Sequence, residues 1–251
     1  MGKLIYTIIK ASEEPRQLTR VLSGMHGISN AEFLEVSCEG ITAVVCDIQK
    51  TGMVAGHASA MDYAGVIEKL SKDFTLLPVR FGSIMETDDD IRKMLSGNHL
   101  EIKKNLLKVE GKVEFGLKVF CDTEKLKSAR NIEPGMKTKS ATEAGALHNN
   151  SVYLDYVNKK LTEYRLEESV LSYVNSVIEE ITDCFAGFEA SGKFNKMVSP
   201  ANIIDALFLI KKEMTAELIS VVQDLQTRYS DLNFILTGPW PPYNFVDITI
   251  S

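Results

Sequence analysis

Thr75-Leu76-Leu77-Pro78-Val79-Arg80-Phe81-Gly82-Ser83-Ile84 is the stretch whose reading decides the fold. Its apolar, β-branched character reads as a strand, and Pro78 inside it requires an edge position or a bulge, because proline cannot donate to a strand ladder. Working back from it, a helix is expected over about 58–73, with Met61, Ala64, Ile67 or Glu68, Leu70 and, just past it, Phe74 at helical spacing. Before that helix stand two strand-like runs, Ala31–Ser37 and Ile41–Ile48, separated only by Cys38-Glu39-Gly40, which predicts a hairpin. Earlier still, Glu13-Glu14-Pro15 opens a helix with apolar Leu18, Val21 and Leu22, closed by Gly24 and Gly27, and residues 3–10 are β-rich. The order is β-α-β-β-α-β. That is the split βαβ, ferredoxin-like order, with helices on one face of an antiparallel sheet.

Beyond this stretch, Thr87-Asp88-Asp89-Asp90 reads as a helix cap rather than a metal site, since no second carboxylate cluster at ligand spacing accompanies it. Ile91, Leu95, Ile102, Leu106 and Val109 mark one helix, expected to lead out of the first domain. Val113–Cys121 alternates as a strand and opens a second domain. A short helix is expected near Thr123–Arg130 and a loop over 131–150, where Pro134-Gly135 signals a turn. Residues 152–186 form the longest helical pattern. Leu154, Val157, Leu161 and Tyr164, then Leu171, Val174, Ile178, Ile181, Phe185 and Phe188, alternate spacings of three and four, with a phase slip near Glu167-Glu168. An unbroken helix of that length would span roughly 50 Å. It would either fold back on the helix near 87–109 or project as a coiled coil. Ile203–Ile210 reads as a buried strand, Glu213–Tyr229 as an amphipathic helix and Leu232–Leu236 as a last core strand. The expected architecture is α+β: a ferredoxin-like N-terminal domain over 1–110, an α+β domain with long coiled-coil-like helices over 111–236, and a proline- and aromatic-rich arm over 237–251.

Composition narrows the function classes. The 251 residues are 45% hydrophobic and 25% charged with a net charge of −6. That balance argues against nonspecific nucleic-acid binding and against attraction to an anionic lipid membrane. No apolar run approaches membrane-spanning length, and the apolar part of the first ten residues is too short for a signal peptide. Cys38, Cys46, Cys121 and Cys184 form no C-x-x-C pair, so reduced, buried thiols in the cytoplasm are expected. His26, His57, His99 and His148 are widely separated, Lys50–Gly56 matches no phosphate-binding loop, and the serines lack a nucleophile elbow. No cofactor, metal or catalytic constellation is therefore expected.

Two signatures remain: Leu77-Pro78-Val79-Arg80-Phe81-Gly82, and Thr237-Gly238-Pro239-Trp240-Pro241-Pro242-Tyr243-Asn244-Phe245. The second holds the only tryptophan and three of the seven prolines, so it is stiff and aromatic. It can pack back as a clasp, with Arg80 and Trp240 securing domain structure, or present Trp240 and Tyr243 as anchors for another protein. The two roles are compatible.

In this order and at these positions, the signatures resemble the GvpF/GvpL family of gas vesicle accessory proteins. The family's L-P-x-R-F-G strand is matched by Leu77 through Gly82. Its G-L-K-x-F strand is matched by Gly116-Leu117-Lys118-Val119-Phe120, its Tyr-Leu helix start by Tyr153-Leu154, and its closing T-G-P-W-P-P-Y-x-F by Thr237 through Phe245. The resemblance implies a non-enzymatic, chaperone-like assembly factor or minor component of gas vesicles. Its implied partners are the hydrophobic major shell protein and other gas vesicle accessory proteins, and its implied location is cytoplasmic and vesicle-associated. It marks Leu77, Pro78, Arg80, Phe81, Gly82, Gly238, Pro239, Trp240, Pro241, Pro242, Tyr243 and Phe245 as structural or interface candidates. Two other classes stay open from the residues alone. A small-molecule-binding regulator would show a pocket with converging polar groups, and an enzyme would show perturbed titratable groups in a cleft.

Overall fold

The computed structural model describes residues 1–10, 15–49, 57–122, 168, 171–188, 193–196 and 202–246. They form mixed helix and sheet. Two compact units are discontinuous in sequence. The first comprises Met1–Phe115, Leu207–Thr215 and Thr237–Ser251, and the second Gly116–Ala206 and Ala216–Leu236. The linear division at 110 and 236 differs from this in where it puts 111–115, 207–215 and 237–251.

In the first unit, β1 (Gly2–Lys10) and β3 (Ile41–Ile48) are the inner strands of a sheet ordered β2-β3-β1-β4, with β2 at Phe33–Cys38 and β4 at Leu76–Pro78. A short β5 (Ile84–Met85) also pairs with β1, and every pairing in this sheet is antiparallel. The β2–β3 turn is Glu39-Gly40, with φ of 50° and 82°. Positive φ at both central residues is the type I′ geometry that suits the right-handed twist of a hairpin.

Both faces of this sheet are covered. On β3, Ile41, Ala43 and Val45 enter one apolar core while Val44, Cys46 and Ile48 enter another. The second core takes Leu18 and Leu22 from α1 (Pro15–Leu22) and Tyr63, Val66, Ile67 and Leu70 from α2 (His57–Asp73). The first takes Ile91, Met94 and Leu95 from α3 (Asp88–Gly97) and Ile102, Leu106 and Val109 from α4 (His99–Val109). Here the structure corrects the sequence reading twice. The stretch 87–109 does not lead out of the unit but covers the sheet's other face. It is also two helices, because the chain leaves helical geometry at Asn98 (φ −109°, ψ 12°). Its start is the expected cap. The Thr87 hydroxyl accepts from the Asp90 amide at 3.1 Å, and the Asp90 carboxylate accepts from the Thr87 amide at 3.1 Å.

The stretch that read as one strand over Thr75–Ile84 is two short strands joined by a turn. A register shift on β1 lies between Ile5 and Thr7, at Tyr6. This bulge resets the alternation, so Ile5 and Ile8 share one core while Leu4, Tyr6 and Ile9 share the other. Tyr63 seals it. Its hydroxyl lies 2.7 Å from the Ile5 carbonyl, 3.2 Å from that of Tyr6 and 2.8 Å from that of Val79. Its ring stacks on Tyr6 at 4.5 Å. Burial pushes the Tyr63 phenol well above its usual range, so it stays a donor.

The second sheet is ordered β7-β8-β6-β9, with β6 at Lys112–Cys121, β7 at Lys193–Lys196, β8 at Asn202–Lys211 and β9 at Leu232–Trp240. The last strand does not stop at Leu236 as the apolar run suggested but continues to Trp240. In the second unit, α5 (171–186) buries Val174, Ile178, Ile181 and Phe185, and α6 (Thr215–Arg228) buries Leu218, Val222 and Leu225. Glu180 of α5 accepts from Arg228 and Tyr229, and the Tyr173 hydroxyl donates to Asp231 at 2.9 Å. The rest of the expected 152–186 helix, apart from Glu168, lies outside the described residues, as do the expected helix and loop over 123–150. Cys38, Cys46, Cys121 and Cys184 are all free thiols. Burial pushes those of Cys46 and Cys121 up.

Replacing Tyr63 by Phe keeps the shape and removes the one donor within reach of the Ile5 and Val79 carbonyls. The expected loss is about 1–3 kcal/mol, the cost of leaving buried acceptors unpaired. Urea denaturation of the variant measures it, and unchanged stability would show that the hydroxyl does not hold the bulge.

Candidate functional site

Each residue of the first signature has a local task. Leu77 is fully buried, and its carbonyl accepts from the buried Thr7 hydroxyl at 2.8 Å. Pro78 pairs opposite Thr7 on the outer strand of the path, where its missing N–H is least costly. The Val79 amide then donates to the Tyr6 carbonyl at 3.1 Å. Arg80 to Ser83 form a turn closed by the Ser83 amide on the Arg80 carbonyl at 3.1 Å, with Gly82 at φ 91°. Positive φ at the third turn position is the type II geometry that glycine adopts without penalty. The turn returns the chain to β1, where the Ile5 amide donates to the Ser83 carbonyl at 3.0 Å. Phe81 is half-buried, edge-on to Tyr63 at 5.1 Å. Arg80 is exposed and makes no ion pair among the described residues.

The second signature is a clasp on the first unit. Gly238 has φ 121°, and a Cβ there would stand 2.7 Å from the Glu114 carbonyl oxygen and 2.9 Å from the Phe115 ring. Only glycine fits both the conformation and the space. Pro241, Pro242 and Phe245 are buried, Phe245 to 4% exposure in the core that also holds Leu77. Two long-range contacts fix the backbone. The buried Glu114 carboxylate accepts from the Asn244 amide at 2.8 Å and from its side-chain NH2, and the Lys108 ammonium donates to the Phe245 carbonyl at 2.9 Å. Trp240 is 44% exposed and Tyr243 39%. Partial burial, with the charges of Glu68 and Glu114, pushes the Tyr243 phenol up to about 12. Trp240 is therefore not the side chain that anchors the arm. Phe245 and the two prolines fill that place.

The sequence did not single out Glu114, Asn244 or Lys108. A carboxylate next to Phe115 in an apolar strand was the available signal for Glu114. Nor did it flag α4, whose outer side exposes Leu100 (83%) and Leu107 (68%) beside Lys103 and Lys104. Leu107 also lines a groove of about 340 Å³ between α4 and the sheet end formed by Lys10, Ile41 and Thr75. Among the described residues, no group of three or more His, Cys, Asp or Glu is placed to hold a metal, and no helix is long and apolar enough to cross a membrane.

A family model described as gas vesicle synthesis protein GvpL/GvpF matches residues 2–247. The chain belongs to this family. Its relatives include gas vesicle protein F2 of Halobacterium salinarum, 26% identical over 98% of this chain and 92% of the relative. Gas vesicle protein F1 of the same organism is 24% identical over 90% of this chain and 93% of the relative. The crystal structure of GvpF from Anabaena sp. matches the fold with a TM-score of 0.74 over 99% of this chain and 97% of that one, at 18% identity. GvpF from Microcystis aeruginosa matches with a TM-score of 0.72 over 98% and 99%, also at 18% identity. A GvpL/GvpF member has a gas vesicle role, and the family is one of accessory proteins rather than a known enzyme family.

Two substitutions separate anchor from ornament in the clasp. Phe245→Ala should cost about 3–5 kcal/mol, the usual range for emptying a buried aromatic site. Trp240→Ala should cost clearly less, because 44% of that side chain is exposed and it lies outside the apolar core that holds Phe245. Urea denaturation followed by hydrogen exchange of β1 amides reads both, and equal losses would contradict this assignment. Independently, Gly238→Ala should lower the thermal midpoint, because either β9 or the Glu114–Phe115 backbone must shift. An unchanged midpoint would mean that the close approach is relaxed in solution.

Proposed function

We propose that this protein is a non-enzymatic gas vesicle assembly factor that binds the hydrophobic major shell subunit in a chaperone-like way, in the cytoplasm and at the growing vesicle. The observation that carries the reading is the family match across residues 2–247. The physical support is the exposure of Leu100 and Leu107 on α4 and of Trp240 and Tyr243 on the closing arm. Exposed apolar side chains that share a face mark protein interaction surfaces, and Leu100 and Leu107 share one side of α4. The other gas vesicle accessory proteins are its further expected partners.

Within this reading, residues 1–110 act as a ferredoxin-like head. The sheet order β2-β3-β1-β4, with helices following β1 and β3, supports that. The 152–186 helix acts as a coiled-coil-like element, supported by the four-three-four spacing of buried Val174, Ile178, Ile181 and Phe185. The motif residues from Leu77 to Gly82 and from Gly238 to Phe245 serve as framework, with Arg80, Trp240 and Tyr243 left at the surface. A small-molecule regulator gains little support: the groove beside α4 places the paired Lys10 and Glu110, 3.7 Å apart, among mostly apolar walls, without a converging polar set.

Tagged protein co-expressed with the major shell subunit should retain it through purification, and a deletion strain should lose or deform its vesicles. Normal vesicles in that strain, together with no retained shell subunit, would overturn the reading.

A further inference from the structure

We propose that the outer face of α4, with the groove beside it, is the docking site for an amphipathic helix of the shell subunit that carries carboxylates along the edge of its apolar face. The assignment rests on the shell-subunit reading above and adds the place and the chemistry.

Three observations meet on this face. Leu100 and Leu107 are the most exposed large apolar side chains of the unit after Met1, and they sit seven residues apart. That spacing puts them on one side of α4, about 10 Å apart along its axis. Second, Leu107 forms the lip of the apolar groove lined by Lys10, Ile41, Thr75, Lys103 and Leu106. Exposed leucines thus extend from a concave pocket along two helical turns, with lysines between them. A compact ligand would use only the pocket, whereas a helix with anchors at i and i+7 would use its full length.

The third observation is charge. Lys103 and Lys104 stand between the two leucines and make no ion pair or hydrogen bond among the described residues. Glu110 at the groove is already paired with Lys10. In a chain of net charge −6, two unengaged lysines flanking an apolar stripe select a partner whose flanking residues are acidic. A cationic amphipathic face could also meet an anionic bilayer, but the net negative charge of the whole chain opposes that approach.

The test compares the full-length wild-type chain with Leu100→Ser/Leu107→Ser and Lys103→Glu/Lys104→Glu, using purified major shell subunit as the probe. All four positions are on the surface, so thermal midpoints should be unchanged. Both variants should bind at least about tenfold more weakly, as expected for loss of central anchors. The deficit of the charge variant should shrink in high salt, where screening removes the repulsion it introduces. Wild-type binding with both variants within about twofold of it would overturn the docking site while leaving the shell-subunit reading intact. No wild-type binding would overturn both. Flotation with phosphatidylglycerol vesicles is the third arm. Vesicle binding that the leucine variant loses, with shell-subunit binding unaffected, would assign this face to a membrane and overturn the proposal.

Discussion

The bulge at Tyr6 is the constraint on which the first unit depends. A single strand has to supply apolar side chains to two cores, and β1 does so with a register shift in its middle. Without the shift, Ile8 would fall on the face of Leu4 and Tyr6, and the core under α3 and α4 would lose it. Bulges leave backbone groups out of the ladder, and a buried unpaired carbonyl is costly. The Tyr63 hydroxyl supplies one donor within reach of the Ile5 and Val79 carbonyls, the Tyr6 carbonyl takes the Val79 amide, and the Tyr6 hydroxyl in turn accepts from the Ile28 amide at 2.9 Å. Two tyrosines thereby tie β1, α2, the Leu77–Gly82 segment and the loop before β2 into one network. Phe81 packs against the same ring, so the first signature is best understood as the wall of this network.

The terminal clasp extends the same logic. The segment after Gly238 is short of donors, because Pro239, Pro241 and Pro242 have none. Its docking cannot rely on a ladder. It uses apolar burial of Pro241, Pro242 and Phe245 and two charge-assisted contacts, Glu114 to Asn244 and Lys108 to the Phe245 carbonyl. Stiffness helps, since a proline-rich segment loses less conformational entropy on docking than a flexible one. The tryptophan that dominates the motif by size is close to half exposed.

The element order of the first unit was legible because β- and α-periodicities alternate there with clear punctuation: Pro15, Gly24, Gly40 and the Thr87 cap. The coverage of the sheet was legible in principle but not from alternation. Ile41-Thr42-Ala43-Val44-Val45-Cys46 is apolar apart from Thr42, the mark of a strand buried on both faces, and it called for a second helical layer. The break at Asn98 was hidden because Leu95 and Ile102 are seven residues apart, so the apolar phase continues across it. The split of 75–84 at Gly82 depends on one positive φ, and the extension of β9 past Leu236 depends on tertiary pairing that propensity opposes. Among the motif residues, which were buried could not be read from type. Size pointed to Trp240, while the anchors are Phe245 and its prolines.

Covering both faces of the first sheet has a consequence for how this unit can meet anything else. Helices cover both faces of the inner strands, and β4 with β5 and the Gly82 turn occupies the β1 side of the sheet path. Among the described residues, the surfaces left to a partner are the outer sides of helices, the clasp and the β2 edge. On α4 the inner residues Ile102, Leu106 and Val109 enter the core, and Leu100 and Leu107 lie outside it among the described residues. Exposed leucines there add solubility cost without core gain. A helix that is apolar on its inner side and carries leucines and unengaged lysines on its outer side fits a second packing partner better than it fits solvent.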